Sequence, residues 1–287
     1  MVRDESANAA WRRKGSPMGT KASYVPMLQS TDEFLVSQTT KGCCQEAMGC
    51  QANSQYIFFT RNSSGSYRRT GTIQEESSCC VRFCCRSSRP WVTSLFDGFH
   101  EDISDQPALL EFIRPFRCAL SPCKCCCYQE VQTVDGAGYP LGLTKETFWC
   151  CVPTLNATTQ DGKAEYQIAP PTCCGGMCIN CCHVGCCSCR VPFYIYSADK
   201  RENHPLKSST KAYRNPSSNN PDGIPEAQIN KIWGGLGTEM FTDADQFELK
   251  APDKCTAQGK ARLIGTTLLI NQLWFEDRGD GKTPASG

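Results

Sequence analysis

The chain has 287 residues, and its 30 basic and 29 acidic side chains give a formal net charge of +1. This balance excludes a dedicated nucleic-acid binder, which carries a strong basic excess. The length accommodates one all-β domain of about 200–250 residues with polar tails. The sequence has no apolar stretch of about 18 or more residues, which is the length typical of a membrane span. It also has no charged segment leading into an apolar run, which is the pattern of a secretory signal. We therefore expect an intracellular protein that is not secreted.

Residues that favour turns, such as Gly, Asp, Asn, Ser and Pro, recur along most of the chain. Residues 1–30 are polar and predict an N-terminal tail. After them, short apolar or aromatic runs alternate with turns, including Asp-Gly pairs at 97–98, 135–136 and 161–162. Asp-Gly suits two-residue hairpins because glycine adopts positive φ at low cost. Repeated units of this kind indicate antiparallel β-structure, so residues 31–277 are predicted to form one mainly β domain.

The last third of the chain predicts a loop, a helix and a tail. Residues 201–228 are rich in Pro, Ser and Asn without periodicity, which predicts an inserted polar loop. Residues 260–276 have the length and apolar content of a helix packed on most sides. Its apolar part, 263–275, is about 20 Å long against roughly 30 Å of bilayer hydrocarbon, so length favours a buried core helix. Residues 278–287 are predicted to be a polar tail.

Cysteine is the outstanding residue type, with 23 copies in the chain. In a secreted protein they would indicate a disulfide framework. Without a secretory signal we expect a reducing compartment, in which thiols stay free. Many of the cysteines are adjacent, and neighbours in sequence rarely bridge because the geometry is strained. The sequence therefore favours free or modified thiols over disulfides.

Seven short segments occur in a specific order between residues 79 and 247. They are CCVRFCC at 79–85, SRPW at 88–91, RPFRC at 114–118, CKCCCYQE at 123–130, GYPLG at 138–142, WCCVP at 149–153 and FTDADQF at 241–247. Each segment alone is weak, but together and in this order they resemble the phospholipid scramblase family. The similarity extends over roughly residues 34–277.

The resemblance implies a fold and an activity. The implied fold is an antiparallel twelve-stranded β-barrel around a C-terminal hydrophobic helix, related to Tubby-like domains. The implied properties are S-palmitoylation in a cysteine cluster, calcium binding ahead of the last helix, and movement of phospholipids across a bilayer. The loop 201–228 departs from the family pattern as an insertion.

The calcium segment that the resemblance implies begins at Asp243. Calcium takes several oxygen ligands, which a loop supplies from alternating positions with a terminal bidentate carboxylate. Asp243 and Asp245 fit the first and third positions, and the Phe247 carbonyl fits the fifth. Lys254 stands at the twelfth position, with Asp253 one residue before it. The pattern is compatible with a weak calcium site or with a turn whose aspartates cap the next element.

Cys123, Cys125, Cys126 and Cys127 match the acylated segment that the resemblance implies. A thioester-linked chain contributes about 0.8 kcal/mol per buried CH₂, and two or more chains anchor a protein stably. Nearly consecutive side chains do not all point inward on a strand, so we expect some of these thiols to be exposed. The alternative is that they pack in the core as small hydrophobic groups.

A denser cysteine cluster occupies residues 173–189. Cys178 and Cys181 have the C-x₂-C spacing of zinc ligands, and Cys182 with Cys186 adds a second pair for tetrahedral coordination. Adjacent cysteines also generate such spacings by chance. Reduced or acylated thiols are therefore the alternative to zinc.

The predicted helix contains Thr266, Thr267, Asn271 and Gln272. These polar side chains would line a route for lipid headgroups only if the segment inserted into a bilayer and self-associated, because polar groups are costly in hydrocarbon. One helix cannot fill a barrel and span a membrane in the same conformation. We expect the core helix.

Two functional hypotheses follow. The first is a scramblase-like protein on the cytoplasmic face of the plasma membrane or a mitochondrial membrane, carrying covalent palmitate and equilibrating phospholipids without ATP, with Ca²⁺ as a candidate regulator. The second is a non-catalytic barrel that serves as a scaffold or accessory subunit of a larger protein assembly. No phosphate loop, G-x-S-x-G or HExxH motif is present, so the sequence indicates no hydrolytic or redox enzyme.

Overall fold

The computed structural model describes most of the chain in nine stretches. These are residues 23–39, 54–85, 88–98, 106–117, 127–148, 152–170, 190–198, 227–232 and 245–275. Twelve strands and three helices lie within them. The strands are β1 (Glu33–Gln38), β2 (Gln55–Arg61), β3 (Tyr67–Glu76), β4 (Trp91–Asp97), β5 (Leu110–Arg114), β6 (Glu130–Asp135), β7 (Pro140–Glu146), β8 (Leu155–Thr159), β9 (Ala164–Ala169), β10 (Arg190–Ser197), β11 (Gln228–Ile232) and β12 (Gln246–Lys250). The helices are α1 (Val25–Gln29), α2 (Cys79–Cys85) and α3 (Ala257–Trp274).

The strands form one closed antiparallel barrel. Each strand pairs with its neighbours in sequence, and β12 pairs with β1 to close the ring. Side chains alternate between the two faces, as the pleat requires. In β1, for example, Phe34 and Val36 are buried, while the residues between and beside them are partly exposed. The predicted fold class, a twelve-stranded antiparallel barrel around a C-terminal helix, is confirmed.

Helix α3 fills the barrel. Every residue from Gly259 to Gln272 is buried, so the helix has no solvent-exposed face. At Gly265 the wall comes very close, because a Cβ there would lie 2.9 Å from the Phe112 ring and 3.0 Å from Thr133 Oγ1. Only glycine permits this approach without a shift of the neighbouring side chains. In the part of the chain that the structure describes, no helix has the length and apolar character needed to cross a bilayer.

The start of α3 differs from the predicted boundary at residue 260. The helix begins at Ala257 because the Thr256 side chain accepts a hydrogen bond from the Gly259 N–H at 3.0 Å. This cap satisfies one of the amide groups that lack a partner in the first turn. The helix ends at Trp274, two residues before the predicted end.

Two polar side chains of α3 bond to the barrel wall. Thr266 Oγ1 lies 2.8 Å from Thr144 Oγ1, and Asn271 Nδ2 donates to the Tyr56 hydroxyl at 2.9 Å. Thr267 donates to the Leu263 carbonyl within the helix. These bonds offset part of the cost of burying polar groups, but Asn271 Oδ1 and Gln272 Nε2 are buried without a hydrogen bond to any residue that the structure describes, which makes this end of the helix costly to bury.

Helix α1 lies inside the segment predicted as an N-terminal tail. Its Leu28 is fully buried in the core cluster. The Leu28 and Thr31 carbonyls each accept a bond of 2.8 Å from Lys260 Nζ, and Asp32 lies 2.6 Å from the same ammonium group. The N-terminal segment therefore covers the barrel end at which α3 begins. The remaining part of that segment, the residues from 276 onward and most of 201–228 lie outside the described residues.

Candidate functional site

The two ends of the barrel have different connections. Because neighbouring strands are antiparallel, every connection from an odd-numbered strand to the next even-numbered strand leaves from the same end. Of the 23 cysteines, all except Cys255 fall in sequence between such a pair of strands. We call this the cysteine end of the barrel. At the opposite end lie short turns such as 62–66, 136–139 and 160–163.

A buried ion pair lies beneath the connection that contains α2. Arg89 Nε and Nη2 each donate to a Glu75 carboxylate oxygen at 2.8 Å, and the two side chains are 1% and 3% exposed. Burial alone raises the pKa of Glu75, but the hydrogen bonds and positive charge of Arg89 outweigh it and hold this pKa below its usual value. The pair ties the end of β3 to the start of β4.

Further inward-facing polar side chains continue this layer around the barrel. Arg114 follows Phe112 by two residues on the same face of β5, and its Nη2 donates to Gln129 Oε1 at 2.6 Å. Its Nη1 donates to the Arg89 carbonyl at 3.2 Å. Glu146, at the end of β7, accepts a bond of 3.2 Å from the Gln129 N–H. These contacts fix the strand ends from which the cysteine-containing connections leave.

The predicted calcium ligand Asp245 lies at the cysteine end, immediately before β12. Its carboxylate is 2.7 Å from Lys231 Nζ, and the Lys231 side chain is 1% exposed. The ammonium group also lies 5.4 Å from the centre of the Phe275 ring, at the C-terminus of α3. A cation supplied by the protein itself is thus already bound to the carboxylate that calcium would need.

The structure does not bring the four predicted calcium residues together. Phe247 lies within β12 with its side chain buried, and Asp253 lies in the exposed turn beyond the other end of that strand. The strand separates Asp245 from Asp253 by about 16 Å or more, so the two carboxylates do not share one ion. Asp243 lies outside the described residues. Within the described ranges no group of three or more His, Cys, Asp or Glu side chains is arranged to hold a metal.

Most of the predicted thiol sites fall outside the described residues. This applies to Cys123, Cys125 and Cys126 of the palmitoylation prediction, and to Cys178, Cys181, Cys182 and Cys186 of the zinc prediction. Cys127 is described as a partly buried free thiol.

Two exposed free thiols were not predicted as sites. Cys80 and Cys84 lie on α2 at the cysteine end. The available sequence signal was the four-residue spacing of the two cysteines, which places both thiols on one face of a segment that is helical.

Cys255, the exception at the opposite end, is in a different environment. Tyr166 donates its hydroxyl to the Cys255 sulfur at 3.3 Å. Burial is the main cause that raises the pKa of this thiol. Because the thiolate is the reactive form, this raised pKa lowers the reactivity of Cys255.

The chain matches one protein family over nearly all of its length. The family model described as Scramblase matches residues 14–201 and 188–277. Phospholipid scramblase 1 of Homo sapiens is 28% identical over 275 residues, which cover 96% of this chain and 72% of the relative. Phospholipid scramblase 1 of Mus musculus is 26% identical over 282 residues, covering 94% and 73%. Phospholipid scramblase 2 of Bos taurus is 26% identical over 249 residues, covering 87% and 70%.

The comparison with solved structures gave no significant match. The family model alone covers far more than half of the chain, and its matched ranges include all twelve strands and helix α3. The resemblance seen in the ordered sequence segments is therefore confirmed, and the chain belongs to the scramblase family.

Proposed function

We propose that this protein moves phospholipids between the leaflets of a membrane without ATP, and that it does so as a peripheral protein on the cytoplasmic face. The observation that carries the proposal is the similarity to proteins named phospholipid scramblases over 96% of the chain. The absence of nucleotide-binding and hydrolase motifs from the sequence fits a passive, non-enzymatic exchange.

We place the lipid path outside the barrel. Helix α3 fills the interior, and its Thr266 and Asn271 side chains are bonded to the wall. A headgroup would have to break these bonds and displace the helix before it could enter. Perturbation of the bilayer at the barrel surface avoids that cost, since the wall itself stays intact.

The proposed attachment to the membrane is covalent palmitate on Cys123, Cys125, Cys126 and Cys127. These residues lie in sequence between β5 and β6, and the two strand ends that they connect are at the cysteine end of the barrel. Two or more acyl chains are enough for stable anchoring. Zinc at Cys178, Cys181, Cys182 and Cys186 remains a separate prediction for the connection between β9 and β10.

Calcium regulation is proposed to act through competition. An ion at Asp243 and Asp245 must displace the Lys231 ammonium, which lies 2.7 Å from the Asp245 carboxylate. Displacement would separate the buried Lys231 ammonium from its carboxylate partner, which is unfavourable. We therefore expect a weak calcium response whose threshold depends on Lys231.

The direct test is lipid exchange in vesicles reconstituted with the purified chain. Fluorescent phospholipid in the inner leaflet becomes accessible to an external quencher only if it crosses the bilayer. We expect exchange above protein-free vesicles, and we expect the calcium-dependent part to be lost in Asp243→Ala/Asp245→Ala. Asp161→Ala, in an exposed turn at the opposite end, is the matched control. An exchange rate equal to that of protein-free vesicles would reject the proposal.

A scaffold or accessory-subunit function is the second candidate. The observation in its favour is the closed interior, since a barrel filled by its own helix needs no lipid in order to fold. This function predicts a protein that high salt releases from membranes and that copurifies with other chains in fixed stoichiometry. Release that requires detergent would favour the scramblase function.

A further inference from the structure

Three large hydrophobic side chains are strongly exposed in the part of the chain that the structure describes. They are Phe148 at 77%, Phe116 at 54% and Tyr139 at 54%. Phe116 follows β5 and Phe148 follows β7, so both lie at the cysteine end. Tyr139 lies in the turn between β6 and β7, at the opposite end. Single exposed rings are common on protein surfaces, so these two indicate a docking surface only together with the other features of the same end.

A charged trio joins the two phenylalanines. Arg117, next to Phe116, donates to Glu130 Oε1 at 2.6 Å. Lys145, three residues before Phe148, lies 3.6 Å from the other oxygen of the same carboxylate. The trio has a net charge of +1, which favours an anionic surface. It also separates the two rings by polar groups, which suits insertion of each ring between lipid headgroups.

Helix α2 presents two thiols at the same end. Cys80 and Cys84 are one turn apart, which places them on the same face of the helix, and both are exposed and free. Arg82 is buried and donates to the Ser77 carbonyl and, at 3.1 Å, to Ser77 Oγ. This contact ties the helix to the residue that follows β3. Helix α2 follows β3 and Phe148 follows β7, and four strand spacings, or about 20 Å, separate these two strands. The helix and the ring can therefore contact the same membrane surface.

We propose that Phe116, Phe148 and the Cys80–Cys84 face of α2 form one docking surface for an anionic phospholipid bilayer, and that Cys80 and Cys84 are S-acylated there. This proposal deepens the proposed function by giving the barrel an end-on orientation. It depends on membrane association but not on lipid exchange. A second copy of the chain is a poorer partner, because a stable protein interface needs about 800 Å² of contiguous surface on each side.

The acylation is a thioester exchange. The thiolate of Cys80 or Cys84 attacks the carbonyl carbon of a long-chain acyl thioester such as acyl-coenzyme A. A new carbon–sulfur bond to the protein forms, the bond to the carrier breaks, and the carrier leaves as a thiol after taking up a proton. No oxidant or reductant is needed. Two chains one helical turn apart would meet the requirement for stable anchoring on their own.

The aromatic part of the surface is tested by flotation of the purified, unacylated full chain, kept reduced, with vesicles of phosphatidylcholine and phosphatidylserine. The variants are Phe116→Ser/Phe148→Ser and, as the matched control, Tyr139→Ser. Because the double variant removes both apolar rings from contact with lipid, we expect it to lower the partition coefficient about tenfold or more. The control should stay within about twofold of wild type on the same scale.

Equal flotation of the double variant and wild type would overturn the docking surface. So would a loss of self-association in the double variant without a loss of flotation, because the surface would then join two copies. Lipid exchange in the same vesicles separates this proposal from the proposed function. If the wild-type protein floats with the vesicles but does not exchange lipid, the proposed function is rejected and the docking surface is retained.

The acylation is tested on the full chain isolated from eukaryotic cells. Peptides containing residues 79–85 are analysed by mass spectrometry before and after hydroxylamine, which cleaves thioesters. We expect hydroxylamine-sensitive acyl groups on both Cys80 and Cys84, and none on Cys255 in the peptide that contains it. Absence of an acyl group from Cys80 and Cys84, whatever the state of Cys123–Cys127, would overturn this part of the proposal.

Discussion

The Arg89–Glu75 pair offers the sharpest test of how the cysteine end is held together. Its fork geometry, with both oxygens bonded at 2.8 Å, and its near-complete burial make it the strongest type of protein ion pair. Replacing Arg89 with Met keeps much of the side-chain volume but leaves the Glu75 carboxylate buried without its main partner. Breaking a buried pair in this way costs about 3–5 kcal/mol.

This cost is large against the about 5–15 kcal/mol that stabilises a typical domain. For a chain of this size, the expected fall in midpoint temperature is about 6–20 °C. The double variant Arg89→Met/Glu75→Leu removes both charges and should recover most of the loss, since a buried pair is often no more stabilising than apolar residues of similar volume. The surface pair of Arg61 and Glu33 provides the control, and Arg61→Met should change stability least.

The assay is thermal and urea unfolding, followed by circular dichroism, of wild type, Arg89→Met, Glu75→Leu, the double variant and the Arg61→Met control. The coupling energy of the double-mutant cycle isolates the pairwise term. A midpoint of Arg89→Met equal to that of wild type would refute the reasoning. Additive losses in the double variant would also refute it, because they would show that the two charges do not depend on each other.

Four further results are expected. The pKa of Glu75 is lowered in the folded state, so its stabilising contribution is complete above the unfolded pKa of about 4.3 and is lost as the pH falls through the folded value. In unfolding experiments across pH 3–6, the difference in free energy of unfolding between wild type and Glu75→Gln should become smaller as the pH falls. Leu263→Ala should cost about 3–5 kcal/mol in urea unfolding, because Leu263 is fully buried inside the barrel. Thr256→Ala should cost about 1 kcal/mol by the same measurement, through loss of the α3 cap. Lys231→Gln should tighten calcium binding at Asp245 about tenfold or more in isothermal titration calorimetry, and an unchanged affinity would contradict the competition.

The fold was predictable because local and family signals agree. The succession of short strands and turns predicts hairpins, and hairpins in succession give an up-and-down barrel. The two-residue Asp-Gly turns are not found in the described residues: the turn after Asp135 has four residues with the positive φ at Gly138, and Asp97-Gly98 begins a longer connection. The start of α3 was harder to place. Lys260 and Arg262 resemble surface residues in the sequence, but their charges are bonded to the Leu28 and Leu141 carbonyls and to carboxylates at the rim of the barrel. Those partners are 97 to 232 residues away in the sequence, and no periodicity indicates them.

The Lys231–Asp245 contact is a similar case. In the sequence, Lys231 belongs to a short run after a polar loop, and Asp245 belongs to a family motif. Only the pairing of β11 with β12, in which Lys231 lies opposite Phe247, brings the ammonium to the carboxylate. The ligand set predicted from the motif therefore included Asp253, which lies beyond the far end of β12. It omitted Lys231, whose ammonium group contacts the Asp245 carboxylate.

The asymmetry of the barrel gives the functional argument its direction. In an antiparallel barrel, all connections that follow odd-numbered strands leave from the same end. A sequence that places 22 of its 23 cysteines in these connections therefore produces one cysteine-rich end without any long-range signal. At the same end lie the exposed rings of Phe116 and Phe148 and the C-terminus of α3, while the buried layer around Arg89 and Arg114 keeps the strand ends in place. Because the interior is filled by α3, the proposed action on a membrane falls to the outer surface of the barrel. The end that combines thiols, aromatic rings and a small positive charge is the part of the described surface suited to it.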